Sequence, residues 1–374
     1  MSVIIRAAWS PGEVRIGVTN GDALIDFAIW RPGRPDGVED LHRGRVTVRV
    51  PAMAGAFVAL DGGDGFLPDT EGAAGATSGD LLGVRITRAA QGGKGPRLTA
   101  ALNATEQALV GRGPPALVRR GPGALLRLAA QYADAAVLVD DAGLAATMRP
   151  VLGTRLTIVR AAFDAELAAR IDALADRVVE LVGGARLSIH PTPALTAIDV
   201  DAGANTASGS PKAAAQRALN RAILPALAAE IRLRNLSGAI LVDFAGLSAR
   251  RRDALAPELT AALASDPMRP RLLGFTRLGL AEIVRPRVHP PLHELLSGPH
   301  AAGLAALRRA LAELAASPGQ SLSLHAAPAI VTALETDKVA LDAFACRTGS
   351  RLKLHAEPAF TATTWTLQPM HAKA

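Results

Sequence analysis

Two short apolar runs that each end in aspartate place the strongest constraint on how this chain folds. Residues 196–201 read Thr-Ala-Ile-Asp-Val-Asp, and residues 239–243 read Ala-Ile-Leu-Val-Asp. Runs of this length that are rich in β-branched and aliphatic side chains predict buried strands. Between them, residues 212–234 are rich in Ala, Leu and Arg and predict a helix, so the order strand, helix, strand favours two parallel neighbouring strands. We therefore expect the aspartates of the two runs to converge at one edge of a sheet.

These aspartates, Asp199, Asp201 and Asp243, are candidate ligands of a divalent metal ion. Carboxylate oxygens are hard ligands that suit Mg²⁺ or Mn²⁺, and a carboxylate-held Mg²⁺ that keeps several waters suits phosphoryl chemistry. Aspartates also end strands in proteins that bind no metal, so the pattern by itself leaves the function open.

Length, charge and cysteine content bound the class of protein. A chain of 374 residues exceeds a single domain of about 100 to 200 residues. The net charge of +7 favours a polyanionic partner, although a GC-rich genome that inflates arginine would also produce it. The single cysteine, Cys346, excludes an internal disulfide framework, and we expect a buried, inert thiol in a reducing compartment. We find no secretory leader and no uncharged apolar run of about 18 residues, so we expect a cytoplasmic protein without membrane contact.

Residues 39–102 predict a small β-barrel, because short strand-like runs are separated there by Gly and Asp clusters. Phe57 and Phe66 lie in two of these runs. The basic residues of the same segment are Arg43, Arg45, Arg49, Arg85 and Arg88. An oligonucleotide-binding barrel uses this combination to stack bases and hold phosphates. The alternative is that both phenylalanines belong to the barrel core, the commoner place for aromatic side chains.

The rest of the chain alternates strand and helix patterns. The predicted elements are a β-meander at residues 3–31, helices at 121–134 and 165–182, strands at 135–140 and 156–159, a helix at 302–316, a second helix at 326–348 broken near its middle, and a strand at 351–354. Asp140 and Asp141 precede Gly143, which favours a helix start or turn over a metal site.

Three motifs follow one another along the chain. They are the barrel segments Leu41-His-Arg-Gly-Arg-Val46, Gly65-Phe-Leu-Pro68 and Lys94-Gly-Pro-Arg-Leu-Thr99, then the aspartate runs within residues 194–203 and 232–244, then the basic segment at residues 275–287. In this order they resemble the ribonuclease E/G family over nearly the whole chain.

The resemblance implies a multidomain fold of the α+β and α/β classes. An RNase-H-like subdomain at residues 1–38 and 116–182 would be interrupted by an OB-fold barrel of the ribosomal S-one type at 39–102. A DNase-I-like nuclease domain would follow at 183–297, and a small α+β domain at 298–374.

The resemblance also implies a Mg²⁺-dependent endoribonuclease that cleaves single-stranded RNA, with Mn²⁺ as the alternative ion. By motif position, Asp199 and Asp243 would bind the metal, and Asp201, which stands where the family has Asn, would complete the catalytic set. The implied RNA contacts are Phe57, Phe66, Arg43, Lys94, Arg277, Arg285 and Arg287.

Two departures from the family change what is expected. Only residues 100–115 stand where family members have a lobe that senses a 5′ monophosphate, so cleavage should not depend on the 5′ end. The family's zinc-binding cysteine pair is missing, and His289, His293 and His300 match no common zinc spacing. We therefore expect no zinc and no zinc-linked dimer, and leave open whether the protein forms another oligomer.

Two other functions remain open. The protein could be a catalytically weakened RNA-binding paralogue, supported by Asp201 and by Pro193, which stands where the family has Glu. It could also be a metal-dependent phosphodiesterase that acts on small esters.

Overall fold

The computed structural model describes residues 2–203, 212–244, 246, 252–317 and 319–370. Within this part of the chain the fold is mixed α and β, with four sheets. The strands are β1 (Val3–Ser10), β2 (Glu13–Asn20), β3 (Ala23–Trp30), β4 (Leu41–Val50), β5 (Gly55–Leu60), β6 (Gly63–Pro68), β7 (Leu81–Arg88), β8 (Arg97–Thr99), β9 (Ala116–Arg119), β10 (Ala136–Val139), β11 (Leu156–Ile158), β12 (Val178–Glu180), β13 (Arg186–Pro191), β14 (Leu195–Asp201), β15 (Gly238–Asp243), β16 (Arg271–Phe275), β17 (Ala281–Arg285), β18 (Ser321–Ala326), β19 (Lys353–Ala356) and β20 (Trp365–Met370). The helices are α1 (Ala104–Val110), α2 (Ala124–Gln131), α3 (Ala142–Leu152), α4 (Ala165–Asp172), α5 (Lys212–Leu233), α6 (Ala256–Leu263), α7 (Leu292–Leu295), α8 (Gly298–Ala316), α9 (Pro328–Thr336) and α10 (Lys338–Thr348).

The chain forms two compact units. The first unit consists of Met1–Pro35, Pro122–Ile171 and His293–Ala374, and the second unit of Asp36–Gly121 and Asp172–Leu292. Across the described ranges, no helix is both long and apolar enough to cross a lipid bilayer.

One sheet of the first unit has the strand order β11-β10-β1-β2-β3. Strands β1, β2 and β3 form the predicted antiparallel meander. Strand β10 runs parallel to β1, and β11 runs parallel to β10. Asp141 begins α3 by accepting a hydrogen bond from the Leu144 amide at 2.7 Å, and Asp140 accepts one from the Trp9 amide at 2.8 Å. The prediction that these two aspartates are structural is therefore confirmed.

The other sheet of the first unit, β19-β18-β20, packs against α8, α9 and α10. The predicted break in the second C-terminal helix is confirmed at Asp337, whose side chain caps α10 by accepting from the Ala340 amide. The expectation of a buried Cys346 is wrong, because this residue is exposed. Ala340 and Phe344 form the buried stripe of α10, and a residue two positions after Phe344 points to the opposite side of a helix.

The second unit contains a closed five-stranded barrel. Strands β5, β6, β8, β7 and β4 are paired in this order, and β4 closes the barrel by pairing with β5. Val46, Val58, Leu67, Val84 and Leu98 fill its interior. Strand β9 adds to the outer edge of β4, so the barrel sheet extends beyond the predicted boundary at residue 102.

The second unit also contains the sheet β12-β13-β14-β15-β17-β16. Strands β14 and β15 are parallel and joined through α5, as the strand, helix, strand pattern predicts. Buried side chains of α5 such as Leu227 and Ile231 pack against Ile198 and Ile240 of the sheet. The predicted helix at residues 165–182 is too long: α4 ends at Asp172, and the β-branched pair at 178–179 forms β12 against β13.

Candidate functional site

The three candidate aspartates lie on the open face of the sheet in the second unit. Along β14, Thr196, Ile198 and Val200 are buried, whereas Asp199 and Asp201 are exposed. This alternation follows from the two-residue period of a strand, which turns every second side chain away from the core. Asp243, at the end of β15, is exposed in the same way.

Asp199 and Asp243 are side by side. They are Cα partners in the parallel pairing of β14 with β15, and neighbouring strands are about 4.8 Å apart. Ser188 on β13 flanks Asp199 on the other side. The structure thus brings together the two carboxylates that were predicted from separate segments, because α5 returns the chain to the neighbouring strand.

The donor set at this position is two carboxylates. Across the part of the chain that the structure describes, no group of three or more His, Cys, Asp or Glu side chains is arranged to hold a metal ion. Asp199 makes no side-chain hydrogen bond or ion pair with another described residue, so its oxygens are open to a ligand. Mg²⁺ is commonly bound by one or two carboxylates and retains several waters, so this donor set fits Mg²⁺ or Mn²⁺.

Asp201 is engaged by its own neighbourhood. Its carboxylate lies 3.4 Å from the guanidinium of Arg186, its partner on β13, and accepts a hydrogen bond from the Gly203 amide at 3.0 Å. The carboxylate is still half exposed. Asp201 therefore shares the face with Asp199, two residues farther along the strand.

Arg252 is a site residue that the sequence did not indicate. Its Nη1 lies 3.2 Å from Oδ1 of Asp243 and also donates to the carbonyl of Gly279, in the turn between β16 and β17. Asp243 is half exposed, while the Arg252 side chain is largely covered. No motif marks this arginine, because its contact with Asp243 depends on how the chain returns to the sheet.

Phe57 and Phe66 lie on the outer surface of the barrel. Each alternates with core residues on its strand, and both are half-buried. They are Cα partners on β5 and β6, and their rings meet edge to face with centroids 5.5 Å apart. The alternative that places them in the barrel core is therefore wrong, and the position is open to bases that stack.

The predicted basic contacts fall into different environments. Lys94 is exposed in the turn between β7 and β8, and Arg277 is exposed in the turn between β16 and β17. Arg43 donates to the backbone carbonyls of Val110 and Pro114, each at 2.6 Å, and so fastens the segment that follows the barrel.

The prediction that Arg285 contacts phosphate is wrong. Its side chain is buried, and its Nε donates to Asp266 at 2.6 Å while Nη1 donates to Asn235 at 2.5 Å. A buried guanidinium with a carboxylate partner stabilises the fold and is closed to RNA. Arg287, two residues later, is half-buried and donates to the carbonyl of Ala194 at 3.4 Å.

The three histidines considered for zinc have separate surroundings. His289 pairs with Asp36 at 2.6 Å, and His300 pairs with Asp337 at 2.8 Å. Burial lowers the pKa of His293, and nearby Glu294 opposes this effect.

Comparison with known proteins shows a likeness to one family over part of the chain. The model of the ribonuclease E/G family matches residues 124–288, the segment that contains both aspartate strands. Over this segment, the chain is similar to the ribonuclease E/G family. Ribonuclease E of Nostoc sp. (strain PCC 7120) is 36% identical over 118 residues, which are 31% of this chain and 17% of that protein. Ribonuclease G of Haemophilus influenzae is 34% identical over 122 residues, which are 32% of this chain and 25% of that protein.

A plant protein gives a similar match. The chloroplastic ribonuclease E/G-like protein of Arabidopsis thaliana is 33% identical over 144 residues, which are 37% of this chain and 14% of that protein. The chain therefore spans a quarter or less of the length of each of these ribonuclease E/G relatives.

Proposed function

We propose that this chain is a member of the ribonuclease E/G family and acts as a metal-dependent endoribonuclease that cleaves single-stranded RNA. The observation on which the proposal rests is the pairing of Asp199 with Asp243 on the open face of the sheet. The names of its relatives, ribonuclease E and ribonuclease G, support RNA as the substrate.

Asp199 and Asp243 would hold Mg²⁺, or Mn²⁺ in its place. When bound, the ion would neutralise charge on the scissile phosphate and lower the pKa of a coordinated water. Among the described residues, Asp199 has no side-chain partner. Asp243 is paired with Arg252, so a metal ion that binds Asp243 would have to displace this arginine. Asp201 adds negative charge where the family has a neutral Asn, which favours the cation and disfavours a phosphate beside it.

The barrel would hold the RNA. Phe57 and Phe66 present aromatic edges and faces on its outer surface, and bases stack on such side chains in many single-strand binders. Lys94 and Arg277, both exposed, would contact phosphates. We also propose that the domain division expected from the family applies: an RNase-H-like subdomain, an OB-fold barrel, a DNase-I-like nuclease domain and a small C-terminal domain. The cytoplasmic location, drawn from the sequence, stays a prediction.

The test uses a 5′-hydroxylated, fluorescently labelled single-stranded RNA. The wild-type protein should cleave it with Mg²⁺ and not with EDTA. Asp199→Asn and Asp243→Asn should each lower the rate on the order of 100-fold or more, because each removes a charge that holds the metal. Asp134→Asn, at an exposed position in the first unit, is the matched control and should cleave at the wild-type rate.

Three results would point elsewhere. Cleavage that persists in both aspartate variants would reject the metal site. Binding of RNA with no cleavage by any form would favour the weakened paralogue. Hydrolysis of bis-(p-nitrophenyl) phosphate without cleavage of RNA would favour the small-ester phosphodiesterase.

A further inference from the structure

A row of paired residues crosses the outer surface of the barrel. Phe57 on β5 pairs with Phe66 on β6, Phe66 pairs with Arg97 on β8, and Arg97 pairs with Arg88 on β7. Partners on neighbouring strands lie on the same face of a sheet. The two phenylalanines are therefore followed, within the same row, by two arginines.

Arg287 stands at the end of this row. The Ala89 amide donates to the Val288 carbonyl at 2.8 Å, which joins the residue after Arg88 to the residue after Arg287. The guanidinium of Arg287 lies over Gly238, which has a φ of +83° and at which an added Cβ would collide with this guanidinium. The charges of Arg97 and Arg287 both act on Arg88, and its pKa is lowered first by burial and then by these two neighbours.

Among the residues that the structure describes, Arg88, Arg97 and Arg287 have no carboxylate partner. Other barrel arginines are paired: Arg49 lies 2.7 Å from Asp69, and Arg85 and Arg119 lie 3.7 and 3.2 Å from Glu106. Within the described ranges, no carboxylate pairs with the arginine cluster, which we define as Arg88, Arg97 and Arg287.

One donor of the cluster is left unsatisfied. Nε of Arg88 is buried and, among the described residues, has no hydrogen-bond partner. Burying a charged donor without a partner costs free energy, and three mutually repelling guanidinium groups add to that cost. An anion placed among them would satisfy the donor and remove the repulsion.

We propose that the arginine cluster binds one backbone phosphate of single-stranded RNA whose bases stack on Phe57 and Phe66. Guanidinium groups bind phosphate oxygens through paired, charge-assisted hydrogen bonds, and aromatic side chains beside cations are typical of single-strand binding surfaces. This inference rests on the proposed function for the identity of the polyanion.

The cluster also stands in a defined relation to the nuclease site. Gly238, under Arg287, begins β15, and Asp243 ends it. Five residues of a strand span about 17 Å. A few nucleotides of RNA would therefore be enough to reach from the arginine cluster along this strand to Asp243.

The first experiment measures RNA binding in EDTA, so that cleavage does not contribute. Fluorescence anisotropy of a 5′-hydroxylated single-stranded RNA should show that Arg88→Gln, Arg97→Gln and Arg287→Gln each weaken binding about tenfold. The triple variant should also lower the slope of log K against log salt by about 0.7, the value for one phosphate on a single strand. Arg309→Gln, which removes the same charge from an exposed arginine paired with Glu313 on α8, is the control and should bind within about twofold of wild type.

The second experiment separates a binding role from a structural one. Without RNA, Arg88→Gln should have a melting temperature equal to or above that of wild type, because it relieves repulsion. A structural arginine would lower the melting temperature when removed. Unchanged RNA affinity in all three variants, or a melting temperature that falls in Arg88→Gln, would overturn the proposal.

A third comparison identifies the kind of phosphate. The same variants are titrated with RNA that has a 5′ monophosphate, and equal losses for both RNAs are expected from a backbone site. A loss confined to the 5′-phosphorylated RNA would overturn the backbone assignment in favour of a terminal phosphate. Failure of the proposed function would look different. The wild-type protein would then bind the RNA but would not cleave it with Mg²⁺, whereas the arginine variants would still bind RNA more weakly than the wild type.

Discussion

At the scale of single residues, the candidate metal site is controlled by what each carboxylate already contacts. Asp199 is open, whereas Asp243 is paired with Arg252. A cation bound at Asp243 must compete with this arginine, because one carboxylate oxygen cannot be fully shared between a guanidinium and a divalent ion. Arg252 therefore sets part of the metal affinity.

We predict that Arg252→Gln strengthens metal binding. The variant removes the competing charge but retains an amide that can donate to the Gly279 carbonyl. Affinity for Mn²⁺, measured by electron paramagnetic resonance of the free ion, should rise about tenfold, since one close charge repulsion is removed. Arg221→Gln, which breaks the pair with Glu258, should leave the affinity unchanged. Weaker Mn²⁺ binding in Arg252→Gln would contradict this role.

Arg285 shows how residue identity alone can mislead. It lies in a basic segment with Arg277 and Arg287, and the sequence gives the three the same appearance. Its burial depends on Asp266, 19 residues earlier, which reaches it only after β16 and β17 have paired. The sequence of a segment shows which of its residues are charged, but it does not show which distant residue each charge pairs with.

At the scale of elements, one buried carboxylate on β2 forms ion pairs with arginines from two other parts of the first unit. Glu13 on β2 is paired with Arg31 after β3 at 2.8 Å and with Arg308 on α8 at 2.8 Å, and Arg15 lies at 3.1 Å. Burial by itself would raise the pKa of Glu13, but Arg31, Arg308 and Arg15 together hold the pKa below its ordinary value. The cluster therefore depends on Glu13 being ionised.

We predict that Glu13→Gln lowers the free energy of unfolding by about 3 kcal/mol at pH 7. This is the low end of the cost of breaking a buried ion pair, because Arg308 is one-third exposed and can be hydrated. Urea unfolding measures the change, and Glu335→Gln at an exposed site is the control. A loss below about 0.5 kcal/mol would show that the arginines do not need this carboxylate.

The same residue should give the first unit an acid-sensitive stability. A carboxyl group whose pKa is lower in the folded state stabilises the fold above its unfolded pKa of about 4.3, and this contribution is lost as the pH falls through the folded pKa. Unfolding measured from pH 6 down to pH 2 should therefore show a shallower fall in stability for Glu13→Gln than for wild type. Parallel curves would contradict the assignment.

At the scale of the whole molecule, the short segment that follows the barrel bears on the proposed function. Residues 100–115 contain α1 and a connection to β9, and Arg43 fastens that connection to the barrel. If the resemblance to the family holds, this segment stands in place of a lobe that recognises a 5′ monophosphate, and we expect a segment of this length not to form such a lobe.

We predict that cleavage does not depend on the 5′ end of the RNA. Two substrates of the same sequence, one with a 5′ hydroxyl and one with a 5′ monophosphate, should be cut with kcat/KM values equal within about twofold, a difference of less than 0.5 kcal/mol. A preference of tenfold or more for the monophosphate would show that another surface, such as the arginine cluster, recognises the terminus.

Much of the fold follows from local patterns in the sequence. The meander β1 to β3, the barrel strands and the segment from β14 through α5 to β15 are set by apolar periodicity and turn residues, which act within a few positions. Asp199 and Asp243 could be predicted as neighbours because a strand, helix, strand unit places parallel strands together. The end of α4 at Asp172 could not, because the next residues join a different sheet through pairing with β13.

The sequence by itself determined where strands, helices and carboxylates lie along the chain, since these depend on near neighbours. Only the tertiary structure decided which charges are neutralised: Arg285 by Asp266, Asp243 by Arg252, and none of Arg88, Arg97 and Arg287 by any described carboxylate. The physical reason is that the free energy of a charge depends on its burial and its partners, and both are set by residues that are distant in the chain.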